Sequence, residues 1–329
     1  MIIELLKSLN HFLVEIFSNS SKYPNCILLS GMVLGYKNDL DNNFKNTLKD
    51  LGLVHIVVVS GYNIGLLASF IHTLLGSLLS RLNRLIRFVI FEVLLLFYIL
   101  LVGVEAPSLR AYVMWSLINF GKVYGRGVSV VYITILSAIG MLMFNFSWIT
   151  DISFQLSFLA TLGLVLYSEK IKSLILEAIR GLPHFLALKN NVFFDIFVSD
   201  LSSSVSATIL VWPVISFHFG RVSIFSPIVN GLLLWPVPYA TFLGLLGILI
   251  YLVFPILGLF VIYVASGFLS VFVFGINFLK PLGVGNLTFE VGWVGVSAYY
   301  SLLVLIQIYP KVRNMLLQKQ KQGALRHHK

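Results

Sequence analysis

Apolar residues fill long stretches of this sequence, and short groups of polar, glycine and proline residues separate them. The stretches approach the roughly 20 residues that a helix needs to cross a bilayer, and they do not alternate as barrel strands would. They predict an all-α, polytopic integral membrane protein. About nine transmembrane helices are predicted, at residues 51–79, 88–104, 107–120, 128–146, 150–168, 196–218, 226–254, 256–279 and 292–309.

Three other apolar stretches are too short or too amphipathic to be predicted as spans. Residues 25–35 are too short to cross comfortably, so we expect a re-entrant or half-crossing segment there. Residues 1–24 are predicted to be an interfacial amphipathic segment, and a second amphipathic helix is expected in the central loop at residues 171–178. One face of the first helix holds Leu5, Leu9, Phe12, Leu13 and Ile16.

Composition and charge support a membrane protein and give its orientation. Of the 329 residues, 58% are hydrophobic and only 11% are charged, whereas a soluble domain carries about 25% charged residues. The net charge of +10 comes mainly from basic residues in loops that the predicted crossings place on one side, so a cytoplasmic C-terminus is predicted. The chain is thereby divided into the interfacial segment (1–24), one membrane domain (25–310) and a basic cytoplasmic tail (311–329).

Motifs for nucleotide or metal chemistry do not occur in the sequence. It has no P-loop, no G-x-G-x-x-G, no H-E-x-x-H and no spaced His/Cys/Asp cluster, and its single cysteine, Cys26, excludes an internal disulfide. We therefore expect no cofactor, no metal site and no enzymatic activity. Any transport would be passive, driven by a gradient or powered by a partner.

The stretch LVHIVVVSGYNIGL at 53–66 carries polar residues inside an apolar run. Gly61 and Gly65 predict a helix break, and such breaks recur at binding and transport sites in membranes. His55, Ser60 and Asn63 are therefore candidate pathway residues. A hydrolase with Ser60 as nucleophile and His55 as base is a weaker hypothesis, because no G-x-S-x-G elbow surrounds the serine.

Arg110 is predicted to lie one turn inside a membrane helix, after Pro107 at the helix start. An arginine at that depth needs a carboxylate, backbone carbonyls, water or an anion as its partner. Arg110 could instead have a purely structural role, either as a snorkelling side chain or in a pair with Glu105. We give this structural role and a role in a transport pathway about even odds.

Two more polar groups interrupt predicted spans. At the first, Asp151 suits a helix N-cap, and Gln155 lies four residues later on the same helical face. Ser153 and Ser157 accompany them. In the second, at 225–240, three prolines predict helix breaks around Asn230; they are Pro227, Pro236 and Pro238.

These motifs together resemble the membrane competence domain of the ComEC family, the inner-membrane DNA-uptake channel of naturally transformable bacteria. The resemblance is carried, in the family's order, by GLVHIVVVSGYNIGLLASF (52–70), GVEAPSLRAYVM (103–114), DISFQLSFLATLGLVLY (151–167) and FGRVSIFSPIVNGLLLWPVP (219–238). It implies that single-stranded DNA passes through a multi-pass protein of the bacterial inner membrane. The pathway residues carried over are His55, Ser60, Gly61, Asn63, Arg110, Asp151, Ser153, Gln155, Ser157 and Asn230.

The resemblance also implies partners. Longer members of the family add an OB-like domain and a metallo-β-lactamase-like domain, and we expect this chain to be a stand-alone form without them. A DNA receptor, a helicase or ATPase motor and a nuclease would then be separate proteins, and a homo-oligomer is conceivable. The alternative function is a transporter or flippase of a smaller anionic solute, which would use the same intramembrane polar groups.

Overall fold

The computed structural model describes residues 2–36, 40–57, 61–127, 129–180, 191–282, 287–288, 291–307 and 309, and the structural statements below concern these residues. They fold almost entirely into helices, which confirms the all-α class. The first eight helices are α1 (Ile2–Ser20), α2 (Asn25–Leu34), α3 (Asn42–Asp50), α4 (Gly61–Leu78), α5 (Arg84–Val102), α6 (Ala106–Val123), α7 (Val130–Phe144) and α8 (Ile152–Ile179). The others are α9 (Val192–Phe219), α10 (Ser226–Leu233), α11 (Pro236–Tyr251), α12 (Pro255–Leu279) and α13 (Trp293–Gln307). Short 3₁₀ turns occur at Val54–Ile56, Phe146–Thr150 and Lys280–Leu282.

Fewer of these helices than predicted can cross a membrane by their length and composition. Four of them, α5, α8, α9 and α12, are long and apolar enough, and the pair α10 and α11 is a fifth candidate, bent by 52°. Shorter apolar helices of 10–17 residues include α2, α7 and α13. At 1.5 Å per residue, α2 and α7 fall short of the roughly 30 Å of hydrocarbon. The predicted number of about nine spans is therefore not confirmed.

The first core surrounds α2, nine of whose ten residues are buried. Leu28 and Leu29 of α2 are fully buried, as are Phe17 of α1 and Phe272 of α12. A helix that is buried on all sides needs apolar residues around its whole circumference, which explains why this short segment shows no polar face. The helix ends at Gly35, whose φ of 70° favours glycine.

Helix α1 packs into this core through a different face from the one predicted. Leu13 and Ile16 are buried as expected, but Leu5 is 69% exposed and Phe12 is 48% exposed. Phe17, which is fully buried, takes part instead. Its place in the first core fastens α1 to α2 and α12.

Helix α8 joins two segments that were predicted to be separate. It runs without interruption for 28 residues, so the span predicted at 150–168 and the amphipathic helix predicted at 171–178 are one helix. The expected boundary was wrong because residues 164–179 contain no glycine or proline that would end the helix. Helix α9 lies against it, with the Lys172 ammonium 3.2 Å from the Asp195 carboxylate.

A second core joins α4, α5 and α6. Ile64 of α4 and Ile99 of α5 are fully buried in it, and Tyr112 and Trp115 of α6 pack against it. A third group at the start of α8 consists of Phe154 and Phe158 with Met141 of α7. These contacts place α6 between α4, α5 and α8.

The described chain forms two compact units. One comprises Met1–Leu210 and Ser223–Asn286, and the other comprises Val211–Val222 and Leu287–Lys329. In the second unit, two short strands that the sequence did not predict pair antiparallel, β1 (Arg221–Val222) with β2 (Leu287–Thr288). The rings of Phe217 and Trp293 also meet there, with centroids 4.4 Å apart.

Candidate functional site

Arg110 lies where α6 meets the start of α8. One guanidinium nitrogen, Nη1, donates a hydrogen bond to the Ser157 carbonyl oxygen at 3.1 Å. Its Cζ atom lies 5.8 Å from the centre of the Phe158 ring. The buried Nε has no hydrogen-bond partner. The guanidinium therefore has an unused donor in a partly apolar setting.

No carboxylate oxygen of the described residues lies within the 4.0 Å of the Arg110 guanidinium that would make an ion pair. The predicted pair with Glu105 is thus not formed. Glu105 caps α6 instead, because its side chain and that of Ser108 form a capping box, with the Glu105 amide donating to Ser108 Oγ at 3.1 Å. The positive charge of Arg110 remains without a negative partner in this part of the chain.

Gly61 begins α4 directly beside that charge. A Cβ atom at Gly61 would lie 2.7 Å from Arg110 Nη2 and 3.4 Å from the Ala111 Cβ. An alanine at this position would require the end of the Arg110 side chain to shift. We call Gly61, Arg110, Ser157 and Phe158 the arginine site.

The remaining polar residues at the start of α8 make local contacts. Asp151 accepts a hydrogen bond from the Phe154 amide at 2.7 Å, which confirms the N-cap interpretation. Gln155 Nε2 donates to the Ile149 carbonyl at 2.8 Å, and Ser153 is exposed. Of the predicted group, only Ser157 reaches Arg110, and it does so through its backbone.

Asn63 and His55 are placed apart from the arginine site. Asn63 is buried, and its Nδ2 donates to the Met32 carbonyl at 3.1 Å, which ties α4 to α2. His55 lies in the 3₁₀ turn before α4, where its exposed ring has Nδ1 3.1 Å from the Gly52 carbonyl oxygen. Ser60 is outside the described residues, so the proposed pairing of His55 with Ser60 stays a prediction.

Asn230 lies in a second polar group, which we call the asparagine site. Its Nδ2 donates to Ser204 Oγ of α9 at 2.7 Å and to Ser226 Oγ at 3.5 Å. Its Oδ1 is buried without a partner. Gly52, with a φ of +73°, packs against Ser226, and a Cβ there would collide with Ser226 Oγ. The turn that carries His55 is thereby held next to the asparagine site.

The predicted helix breaks divide into two groups. Helix α4 continues through Gly65, so the break expected at that residue is wrong. Gly65 lies inside the helix, and nothing lies within 4 Å of a Cβ atom added to it. No close neighbour therefore requires a glycine at this position. The prolines lie in first turns, where a missing amide costs nothing: Pro107 in α6, Pro227 in α10, and Pro236 and Pro238 in α11. Pro236 stands at the 52° bend.

Three polar residues that join helices were not singled out from the sequence. Asn10 of α1 donates to the carbonyls of Leu34 and Leu101, each at 2.9 Å. Asn25 of α2 donates to Ser270 Oγ of α12 at 2.8 Å. Glu92 of α5 accepts a hydrogen bond from Ser116 Oγ at 2.7 Å. Each is a polar residue within an apolar run, the same signal that identified Asn63 and Asn230. Among the described residues no three His, Cys, Asp or Glu side chains form a group that could hold a metal ion.

Comparison with known proteins decides the family. The sequence profile of the family described as "Competence protein" matches residues 32–313, which is most of the chain. The chain belongs to the Competence protein family. It is 25% identical over 228 residues to "ComE operon protein 3" of Bacillus subtilis (strain 168), a match that covers 69% of this chain and 26% of that relative. The chain thus spans about a quarter of the length of that relative. No solved structure matches this Competence protein.

Proposed function

We propose that this protein is the membrane component through which single-stranded DNA enters the cytoplasm during natural transformation. Membership in the Competence protein family supports a role in DNA uptake. The structural observation that carries the proposal is the arginine site, where a guanidinium without a carboxylate partner adjoins the first turn of α4.

The arginine site suits a phosphate of the DNA backbone. A guanidinium binds phosphate through a planar fork of donors, and the hydrogen bond to the Ser157 carbonyl uses only Nη1 of Arg110. Phosphate recognition is independent of base sequence, as a conduit for DNA of any sequence requires.

Uptake of labelled DNA tests the proposal. A strain that lacks the gene would be complemented with the wild type, Arg110→Gln, Arg110→Lys or Arg81→Gln. Arg81 is exposed between α4 and α5, so Arg81→Gln removes the same charge away from the site. We expect Arg110→Gln to lower cytoplasmic entry about tenfold, which corresponds to about 1.4 kcal/mol, and Arg110→Lys to give an intermediate value because it keeps the charge but loses the fork. Wild-type entry in Arg110→Gln at equal protein level would refute the phosphate role.

Binding of a fluorescent oligonucleotide to the purified protein provides a second measurement. Each phosphate contact to single-stranded DNA contributes about 0.7 to the slope of log K against log salt concentration. Arg110→Gln should therefore reduce the magnitude of that slope by about 0.7, and Arg81→Gln should leave it unchanged. An unchanged slope in Arg110→Gln would place the DNA contacts elsewhere.

Transport of a smaller anionic solute is the second candidate, since one guanidinium also attracts a small anion. Liposomes that contain the purified protein distinguish the two. Phosphate flux in the absence of DNA, abolished in Arg110→Gln and retained in Arg81→Gln, would favour the smaller solute. Binding of DNA to the protein without such a phosphate flux would favour the DNA conduit.

We also propose which partner proteins act with this protein and how it is oriented in the membrane. A DNA receptor, a helicase or ATPase motor and a nuclease would be separate proteins, and the conduit would lie within one subunit or between copies of the chain.

The protein would reside in the bacterial inner membrane with its C-terminus in the cytoplasm. A reporter enzyme fused after Lys329 that is active only in the cytoplasm tests this orientation, and activity of a periplasm-specific reporter would contradict it.

A further inference from the structure

Glu92 places a carboxylate in the middle of α5, which has the highest mean hydropathy of the four single helices able to cross a membrane. It is eight residues from Arg84 and ten from Val102. At about 1.5 Å per residue, roughly 12 Å and 15 Å of helix separate it from the two ends. Acidic residues at such depth are rare and mark functional sites.

Two hydroxyl groups of α6 approach this carboxylate. Ser116 Oγ donates a hydrogen bond to Glu92 Oε2 at 2.7 Å. The Tyr112 hydroxyl interacts with the same carboxylate. Tyr112 and Ser116 are four residues apart, so they share one face of α6. Glu92 is half-buried beside them. Its neighbours on α6 supply oxygen atoms but no positive charge.

The basic groups around Glu92 are directed elsewhere. No nitrogen of a described lysine, arginine or histidine lies within 4.0 Å of a Glu92 oxygen. On α6, the Lys122 ammonium lies over the Trp115 ring, 6.0 Å from its centre. On α4, the His72 ring packs against Phe91, with centroids 5.1 Å apart.

The two other helices that pack against α5 do so closer to its C-terminal end. Asn10 of α1 reaches the Leu101 carbonyl, and the Tyr98 hydroxyl of α5 donates to the Val33 carbonyl of α2. These contacts lie six or more residues beyond Glu92, which is about 9 Å along the helix. They supply polar contacts but no cation, so the described helices leave the charge of Glu92 uncompensated.

We propose that Glu92, Tyr112 and Ser116 form a binding site for one monovalent cation from the aqueous phase, a proton or a sodium ion. An ionised carboxylate at this depth is costly unless a positive charge compensates it. The three side chains provide four oxygen atoms in total. A divalent cation would leave a net positive charge and requires six or more oxygen ligands. The site is independent of the DNA proposal, because it involves none of the residues of the arginine site.

Labelling with dicyclohexylcarbodiimide tests the site. This apolar reagent enters membranes, where a protonated carboxyl adds across one of its C=N bonds to give an O-acylisourea that rearranges to a stable N-acylurea. The purified protein in liposomes would be labelled at several pH values with sodium chloride or choline chloride, and the modified peptides would be quantified by mass spectrometry. Glu177, which is exposed near the end of α8, is the reference carboxyl.

We expect Glu92 to be labelled about tenfold faster than Glu177, as an accessible carboxyl in an apolar setting should be. If sodium slows this labelling and choline does not, the bound cation is sodium. A rate that changes with pH but not with sodium identifies the proton. Ser116→Ala and Tyr112→Phe remove one hydroxyl each at nearly constant shape, and each should shift the pH or sodium dependence several-fold. The proposal fails if Glu92 is labelled no faster than Glu177 and responds to neither cation, or if both hydroxyl variants behave as the wild type.

Discussion

Replacement of Gly61 by alanine tests whether the start of α4 and Arg110 are as close as the arginine site requires. The added Cβ would lie 2.7 Å from Arg110 Nη2. Carbon and nitrogen atoms that are not bonded to each other do not approach so closely in a packed interior, so the guanidinium must move. We expect this displacement of the guanidinium to break the hydrogen bond that Nη1 donates to the Ser157 carbonyl, now 3.1 Å long.

The expected magnitude follows from these two contacts and from helix propensity. Loss of a hydrogen bond from a charged donor costs about 1.5–3 kcal/mol, and alanine in place of glycine returns at most about 1 kcal/mol. Gly61→Ala should therefore lower the free energy of unfolding by about 0.5–3 kcal/mol. Gly65→Ala is the matched control in the same helix, because nothing lies within 4 Å of a Cβ at Gly65. It should raise that free energy by about 0.5–1 kcal/mol.

Unfolding in mixed micelles with increasing sodium dodecyl sulfate, followed by circular dichroism, measures both variants. The cost of Gly61→Ala should also disappear in an Arg110→Ala background, since the clashing group is then absent. Two results would refute the reasoning. One is an equal stability change in Gly61→Ala and Gly65→Ala, and the other is an unchanged cost of Gly61→Ala without Arg110.

Three further predictions concern contacts between or within helices, and the same unfolding assay measures them. Asn10→Ala should lower stability by about 1–3 kcal/mol, because it removes two hydrogen bonds to the ends of α2 and α5; a loss below the error of the assay would contradict this. Gly163→Ala should cost about 1–3 kcal/mol, since its Cβ would collide with the Ser206 carbonyl oxygen of α9, whereas Gly140→Ala in α7 meets nothing and serves as the control. Asp151→Ala should cost about 1 kcal/mol by loss of the α8 cap and Asp151→Asn much less, and equal costs would argue against capping.

Local features of the fold follow from the sequence because they depend on neighbours along the chain. The cap at Asp151 is one example, since the side chain needs only an amide three residues later. Pro107 at the start of α6 is another. The family resemblance is also right, because the profile match over residues 32–313 confirms the family.

Features that depend on contacts between distant segments could not be derived in this way. Hydropathy indicates that a stretch avoids water, but it does not distinguish a lipid-facing helix from one surrounded by protein. Helix α2 is apolar because it is the centre of a core, whereas α7 is also apolar although many of its side chains are exposed. Nor does a sequence state which carbonyl an asparagine will reach, as the bond from Asn63 to Met32 shows.

Gly52 and Gly61 each lie at one of the two polar sites, and their close contacts give both glycines a common explanation. Gly52 lacks room for a Cβ because Ser226 of the asparagine site lies against it, and Gly61 lacks room because Arg110 does. Gly52 therefore lies against a side chain of α10, and Gly61 lies against a side chain of α6. The two sites can thus be perturbed separately by Gly52→Ala and Gly61→Ala, and a defect in DNA uptake in only one of the variants would show that only that site serves uptake.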